Sequence, residues 1–274
     1  MDYESFFGFK EKPFSTSPDE RFYYDSPQHS KALQKIKHSV ENRLGLALVV
    51  ADIGMGKTTL ARRILNMLAS DDGYEVSLLI MVHPDISAGW FLKKISLQLG
   101  VEDKAEDRVE IIAGLYNKLQ EYNDQDKKVV VLIDEGNMLR GKDAMEEIRG
   151  LLNIETQSQH MINFVIFGLP EMEGNLKQDE ALYQRTAIRT TLKPLDLESV
   201  KAYISHRIKV AGGQSLPFTG ETLELIHKYS GGKPRMINII CENAILEGFL
   251  EKKKTITPSI MQVVLEDLAL LESK

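Results

Sequence analysis

The chain has 274 residues, room for one large domain or for a medium domain and a small one. A hydrophobic fraction of 43% supports a sizeable core, and a net charge of −6 excludes a surface coated in basic residues, though one groove can still collect positive charge. The one cysteine, Cys241, excludes an internal disulfide; the acidic start at Asp2 and Glu4 is unlike a signal peptide, and the longest apolar run, 44–51, is far short of a membrane span.

The first 45 residues or so are dense in aromatics: Phe6, Phe7, Phe9, Phe14, Phe22, Tyr23 and Tyr24, interrupted by the turn signal Ser17-Pro18-Asp19. They read as an arm packed on the main domain, or as a cover for a bound base. Short apolar runs and helical patterns then alternate. Strands are expected at 46–50, 76–82, 129–133 and 163–167, with a weaker candidate at 188–192. Helices are expected at 57–69, 87–99 and 106–121, and around Met145, Ile148, Leu151 and Leu152. Continuous apolar strands alternating with helices mean a parallel sheet covered on both faces. After Pro194 the pattern changes. Leu197, Val200, Ile204, Ile208 and Ala211 share one helix face, Thr219 can cap a second helix, Pro234 can open a third, and Thr257-Pro258 a fourth. Cys241 falls among inward positions of the third, so its thiol is expected to be buried and inert.

The strongest chemical signal is the loop Ala51-Asp52-Ile53-Gly54-Met55-Gly56-Lys57-Thr58-Thr59 between a strand and a helix. Glycines let several backbone N–H groups converge on one anion, and the helix N-terminus adds to that field. Lys57 would contact the β- and γ-phosphates of ATP, and Thr58 would ligate Mg2+ through its hydroxyl. The second signal is the apolar strand 129–133 running into Asp134-Glu135. Two carboxylates at a strand end repel each other unless a cation and a water sit there. Asp134 would hold Mg2+ through its coordinated water, and Glu135 would polarise the attacking water. Arginines come third. Arg185 and Arg189 follow the fourth strand and Arg235 opens a late helix; each could neutralise charge developing on a transferred phosphoryl group, or could be a surface ion pair.

These features, with Phe6-Phe7-Gly8-Phe9, Lys12-Pro13-Phe14, the run from Glu147 to Thr156, Gly168-Leu169-Pro170-Glu171-Met172 and Gly231-Gly232-Lys233-Pro234-Arg235, resemble the ExeA/GspA-type AAA+ ATPases, including the MshM-like proteins of pilus systems. The resemblance covers nearly the whole chain. It implies an α/β fold: a P-loop AAA+ parallel sheet sandwiched by helices, then a small all-helical lid. The divisions would be an arm at 1–45 packed on the ATPase core, the core at 46–193 and the lid at 194–274. It implies a homo-oligomer, ring or filament, with ATP between subunits. Arg235 would sense nucleotide in its own subunit, and Arg185 or Arg189 would reach the neighbour's.

By the same resemblance the protein would drive assembly or regulation of a type II secretion or type IV pilus system; the rival reading is a DNA-binding ATPase of transposition. Ending without the membrane span and peptidoglycan-binding segment of longer members, it is expected to be cytoplasmic, peripheral to the inner membrane through a partner, and not itself inserted. Two positions depart from the family pattern. Ala51 replaces the first loop glycine. Leu169 replaces a glutamine aimed at the γ-phosphate, which counts against fast hydrolysis and not against binding.

Overall fold

The computed structural model describes residues 2–17, 19–83, 87–102, 107–139, 142–156 and 159–271. Pro18, the centre of the expected turn, and Glu106, the expected start of a helix, lie outside the described residues. The chain forms two compact units: Met1–Pro27 with Gly54–Thr59 and Lys193–Lys274, and Gln28–Ile53 with Leu60–Leu192.

The second unit begins at Gln28 and holds the sheet. In order, α1 is Tyr3–Phe7, α2 Pro27–Glu41, β1 Leu46–Val50, α3 Lys57–Ala69, β2 Tyr74–Ile80, α4 Ala88–Gln98, α5 Arg108–Asp124, β3 Lys128–Asp134, α6 Lys142–Leu152, β4 Ile162–Gly168, α7 Glu171–Lys177, α8 Glu180–Gln184 and β5 Thr186–Thr191. The strands make one five-stranded parallel sheet in the order β2-β3-β4-β1-β5. Every residue of β1 and β4 is buried. Leu46, Leu48, Val50, Val129, Val131, Ile133, Phe164 and Ile166 enter a core that includes Phe91, Leu92 and Ile95 of α4, Leu115 and Leu119 of α5, and Ile148 and Leu152 of α6. The alternate residues Ala47, Val49, Val130, Leu132, Val165 and Phe167 project from the other face and are buried too. That double burial is why the three central strands read as unbroken apolar runs.

The edge strands are harder to read. The apolar run expected at 76–82 overshoots: β2 starts where Tyr74 pairs with Lys128 and ends at Ile80, leaving Val82 beyond it and exposed. β5 has one buried residue, Thr186, and then alternates exposed and half-buried ones, so its signal is weak. At the base of the sheet, buried Asn163 of β4 accepts the Gly45 N–H at Oδ1 (3.1 Å) and donates from Nδ2 to the Val129 carbonyl (3.2 Å).

The other unit contains α9 (Leu197–Val210), α10 (Gly220–Ser230), α11 (Pro234–Leu250) and α12 (Pro258–Asp267). Asp196 and Thr219 cap α9 and α10 through their side chains, and Pro234 and Pro258 stand in the first turns of α11 and α12. Here the arm differs from expectation. The sequence put 1–45 on the ATPase core; Met1–Pro27 instead belongs to the lid's unit, and α2 to the sheet's. The reason is aromatic packing. Tyr3, Phe9 and Phe14 enter the same apolar core as Ile204, Ile237, Ile240 and Ile260. The Phe6 ring lies 5.5 Å from that of Phe249, and Phe14 lies 6.2 Å from Phe218. Buried Arg207 completes the clasp. Its Nε donates to the Pro13 carbonyl (2.6 Å), Nη2 to Ser15 (3.0 Å) and Nη1 to the Tyr203 hydroxyl (2.9 Å), with its guanidinium over the Phe22 ring. The residues Gly54–Thr59 also cluster with the lid.

Candidate nucleotide site

The loop after β1 leaves the sheet in an ordinary extended path. The Ala51 N–H donates to the Gly168 carbonyl (3.1 Å), and Ala51 is buried outside the left-handed region. An alanine methyl is therefore tolerated where the family carries glycine. Asp52 and Ile53 are exposed, and Met55 is buried. Gly54 and Gly56 take φ of 80° and 93°, values that side chains rarely allow, and Lys57 begins α3 immediately after. Alternation of hand along the loop is what turns successive N–H groups toward one point, so the loop fits a phosphate chain. Lys57 is buried, and Thr58 and Thr59 are half-buried.

Arg235 meets this loop within the lid's unit. Its N–H donates to the Gly54 carbonyl (3.1 Å), and a Cβ on Gly54 would lie 2.9 Å from that of Arg235. The turn that delivers it is built on Gly231 and Gly232, with φ of 57° and 69°. The Leu195 N–H donates to the Gly232 carbonyl at 2.9 Å.

In the sheet's unit the acid pair closes β3. Asp134 is 1% exposed, and its Oδ1 accepts the N–H of Glu135 (3.0 Å). Glu135 takes φ 55° and ψ 39°, the left-handed region, and starts a 3-10 turn over Gly136–Met138. For a residue with a Cβ this costs about 1 kcal/mol, and such residues collect at functional sites. Leu169 follows β4, half-buried, as the sequence placed it. What the sequence missed is Asn137. It is 3% exposed, and its Oδ1 accepts the Leu169 N–H at 3.4 Å, so an amide stands beside the position where the expected glutamine is absent. The signal was present, as a polar residue three places after Asp134.

Arg185 and Arg189 lie by the β5 edge and both are exposed. Arg185 is the C-cap of α8, directly after Gln184, and donates from Nη1 to Asn153 Oδ1 (2.5 Å) and to the Arg149 carbonyl (3.5 Å). Arg189 stacks its guanidinium 3.7 Å from the centre of the Tyr183 ring and donates to the Tyr183 carbonyl. Among the described residues neither forms an ion pair with a carboxylate, which removes the surface salt bridge as their explanation.

A parallel sheet of this order, a glycine loop running into a helix and an acid pair at the tip of the neighbouring-but-one strand can be compared with known proteins. The AAA domain family matches residues 40–176, half of the chain. The chain belongs to the AAA domain family. Membership implies a nucleotide-binding ATPase. Among curated proteins, this AAA chain is 32% identical over 251 residues to General secretion pathway protein A of Aeromonas hydrophila, covering 90% of the chain and 45% of that protein. It thus spans under half the length of that relative. The resemblance read from the motifs is met by this match. Among solved structures, Cdc6p from Pyrobaculum aerophilum superposes with a TM-score of 0.70 at 16% identity, covering 96% of this chain and 71% of that one. The Aeropyrum pernix ORC2 protein gives 0.68 at 15% identity, covering 94% and 72%. The Thermotoga maritima RuvB Holliday junction branch migration motor gives 0.60 at 19% identity, covering 94% and 74%. At these identities the likeness establishes the fold alone. Among the described residues no helix is long and apolar enough to cross a membrane.

Proposed function

We propose that this AAA protein binds and hydrolyses ATP at subunit interfaces of a homo-oligomer and so drives assembly or regulation of a secretion or pilus machine. The observation that carries the hydrolytic part is Glu135, held in a left-handed backbone directly after buried Asp134. In this reading the N–H groups of Gly54, Met55 and Gly56 and the Lys57 ammonium bind the phosphates. Thr58 and Asp134 would hold Mg2+, which would supply positive charge for the phosphates. Glu135 takes a proton from the attacking water, and Asp134, by accepting the Glu135 N–H, fixes where that carboxylate starts. Arg235 reports the bound nucleotide to the lid through α11, and Arg185 or Arg189 neutralises charge on the neighbour's nucleotide. The client rests on the similarity to General secretion pathway protein A. The cytoplasmic location, peripheral to a membrane through a partner, belongs to the same reading.

Two variants test the site. Lys57→Ala should abolish binding of a labelled ATP analogue, since it removes the single cation of the loop. Glu135→Gln should bind ATP and turn it over at least a hundredfold more slowly, the loss expected when a general base goes, ~10²–10⁴-fold. Wild-type affinity in the first variant, or a wild-type rate in the second, would overturn the assignment.

A further inference from the structure

Sequence alone leaves Arg185 and Arg189 equivalent. Their hydrogen bonds separate them. Arg189 is flattened on the Tyr183 ring and tied to its carbonyl. Arg185 uses only Nη1; its Nε and Nη2 donate to nothing among the described residues. Those two donors form one side of the guanidinium fork, the arrangement that engages two oxygens of a phosphate at once. An arginine must be held for such a task, because its long side chain otherwise samples many rotamers.

What holds Arg185 is the C-terminal end of α6. The Arg149 carbonyl is one of the last four of that helix, without an intrahelical N–H partner, because the Asn153 N–H donates to Gly150 instead. The helix dipole places partial negative charge there, which suits a guanidinium. Asn153 is the first residue past α6, and its Oδ1 takes the shorter of the two bonds from Arg185 Nη1. The platform is firm. Ile148, Leu151 and Leu152 are in the core, and Glu147 is 5% exposed and paired with Arg108 at 2.7 Å. A second tie closes the circuit: Arg149 reaches Asp179 at 3.7 Å, and Asp179 is the N-cap of α8, whose C-cap is Arg185.

We propose that Asn153 is a positioning residue that fixes Arg185 on the end of α6 so that its Nε and Nη2 meet the nucleotide of the neighbouring subunit. The proposal rests on the reading that an arginine acts in trans, and it selects Arg185 for that role. Both side chains are exposed, so their mutual bond adds little to stability. Its effect belongs to the rate, where a displacement of about 1 Å can cost as much as a hundredfold.

The test is a mixture of two dead subunits. Donors carry Glu135→Gln and an intact Arg185; acceptors carry Arg185→Ala and an intact Glu135. Co-assembly is checked by size exclusion, and ATP hydrolysis should reappear. Adding Asn153→Ala to the donor should lower the restored rate about tenfold, with its unfolding midpoint unchanged. Adding it to the acceptor, whose Arg185 is already gone, leaves no arginine to misplace, and the rate should match the parent mixture. Asn153→Asp in the donor keeps an acceptor oxygen and should keep the rate. If the parent mixture co-assembles but stays dead, the trans reading falls and this proposal with it. If the parent mixture is active but Asn153→Ala does nothing in the donor, or lowers the rate equally from either side, Asn153 does not position Arg185.

Discussion

Gly231 and Gly232 offer a matched pair of substitutions one residue apart. Both have positive φ, so an alanine at either pays about 1 kcal/mol for a left-handed backbone. They differ in what the new methyl meets. At Gly231 nothing lies within 4 Å. At Gly232 the Cβ would fall 2.1 Å from the Leu195 carbonyl oxygen, 2.9 Å from its nitrogen and 3.1 Å from its carbonyl carbon. All three are backbone atoms, so no rotamer change relieves the overlap. The turn must retreat by about 1 Å to reach an ordinary C···O contact, which also strips the Leu195 N–H of its bond to the Gly232 carbonyl. Overpacking adds ~1–3 kcal/mol and the lost bond ~1, so Gly232→Ala should cost roughly 3–5 kcal/mol against about 1 for Gly231→Ala. The turn also sets where the Arg235 N–H reaches the Gly54 carbonyl, so the larger perturbation should weaken binding of an ATP analogue about tenfold, the equivalent of ~1.4 kcal/mol. Urea unfolding and analogue titration of both variants decide it. Equal shifts in the two, in stability and in affinity, would refute the steric argument.

Two further outcomes concern the same unit. Arg207→Met should leave the Pro13 and Ser15 carbonyls without their donor and cost ~3–5 kcal/mol, read as faster protease cleavage within residues 2–17; cleavage at the wild-type rate would mean the clasp is dispensable. Burial pushes the Cys241 thiol well above its ordinary range, so a thiol reagent should label it only as fast as the protein unfolds, and rapid labelling of the native protein would place it elsewhere.

The sequence carried the sheet's centre and the loop because both obey local rules. β1, β3 and β4 are apolar on both faces, and the glycines at 54 and 56 sit where the backbone changes hand. Thr219 and Pro234 marked helix starts through chemistry that acts within a turn. What escaped depends on distant partners. Nothing near Phe6 or Phe14 in the chain says that their rings pack beside Phe249 and Phe218. Short α7 and α8 have too few turns to show a period. At the candidate site, Lys57, Asp134 and Glu135 stand out in the sequence by type and spacing. Asn137 showed only as a polar residue close after Asp134, and the partners of Asn137 and Asn153, Leu169 and Arg185, were hidden because each lies 32 positions away.

The side chain of Asn163 works as a gauge. By joining Gly45 ahead of β1 to Val129 at the start of β3, from its own place in β4, it sets three strands to a common origin. Strands of fixed rise that start level also finish level: Val50 pairs with Gly168, and Ile133, one residue before Asp134, pairs with Ile166. A slip of one residue at the base would carry the carboxylate at the far end about 3.3 Å along the strand and turn it to the opposite face. The position of the acid pair at one end of the sheet is thus measured out from the other end.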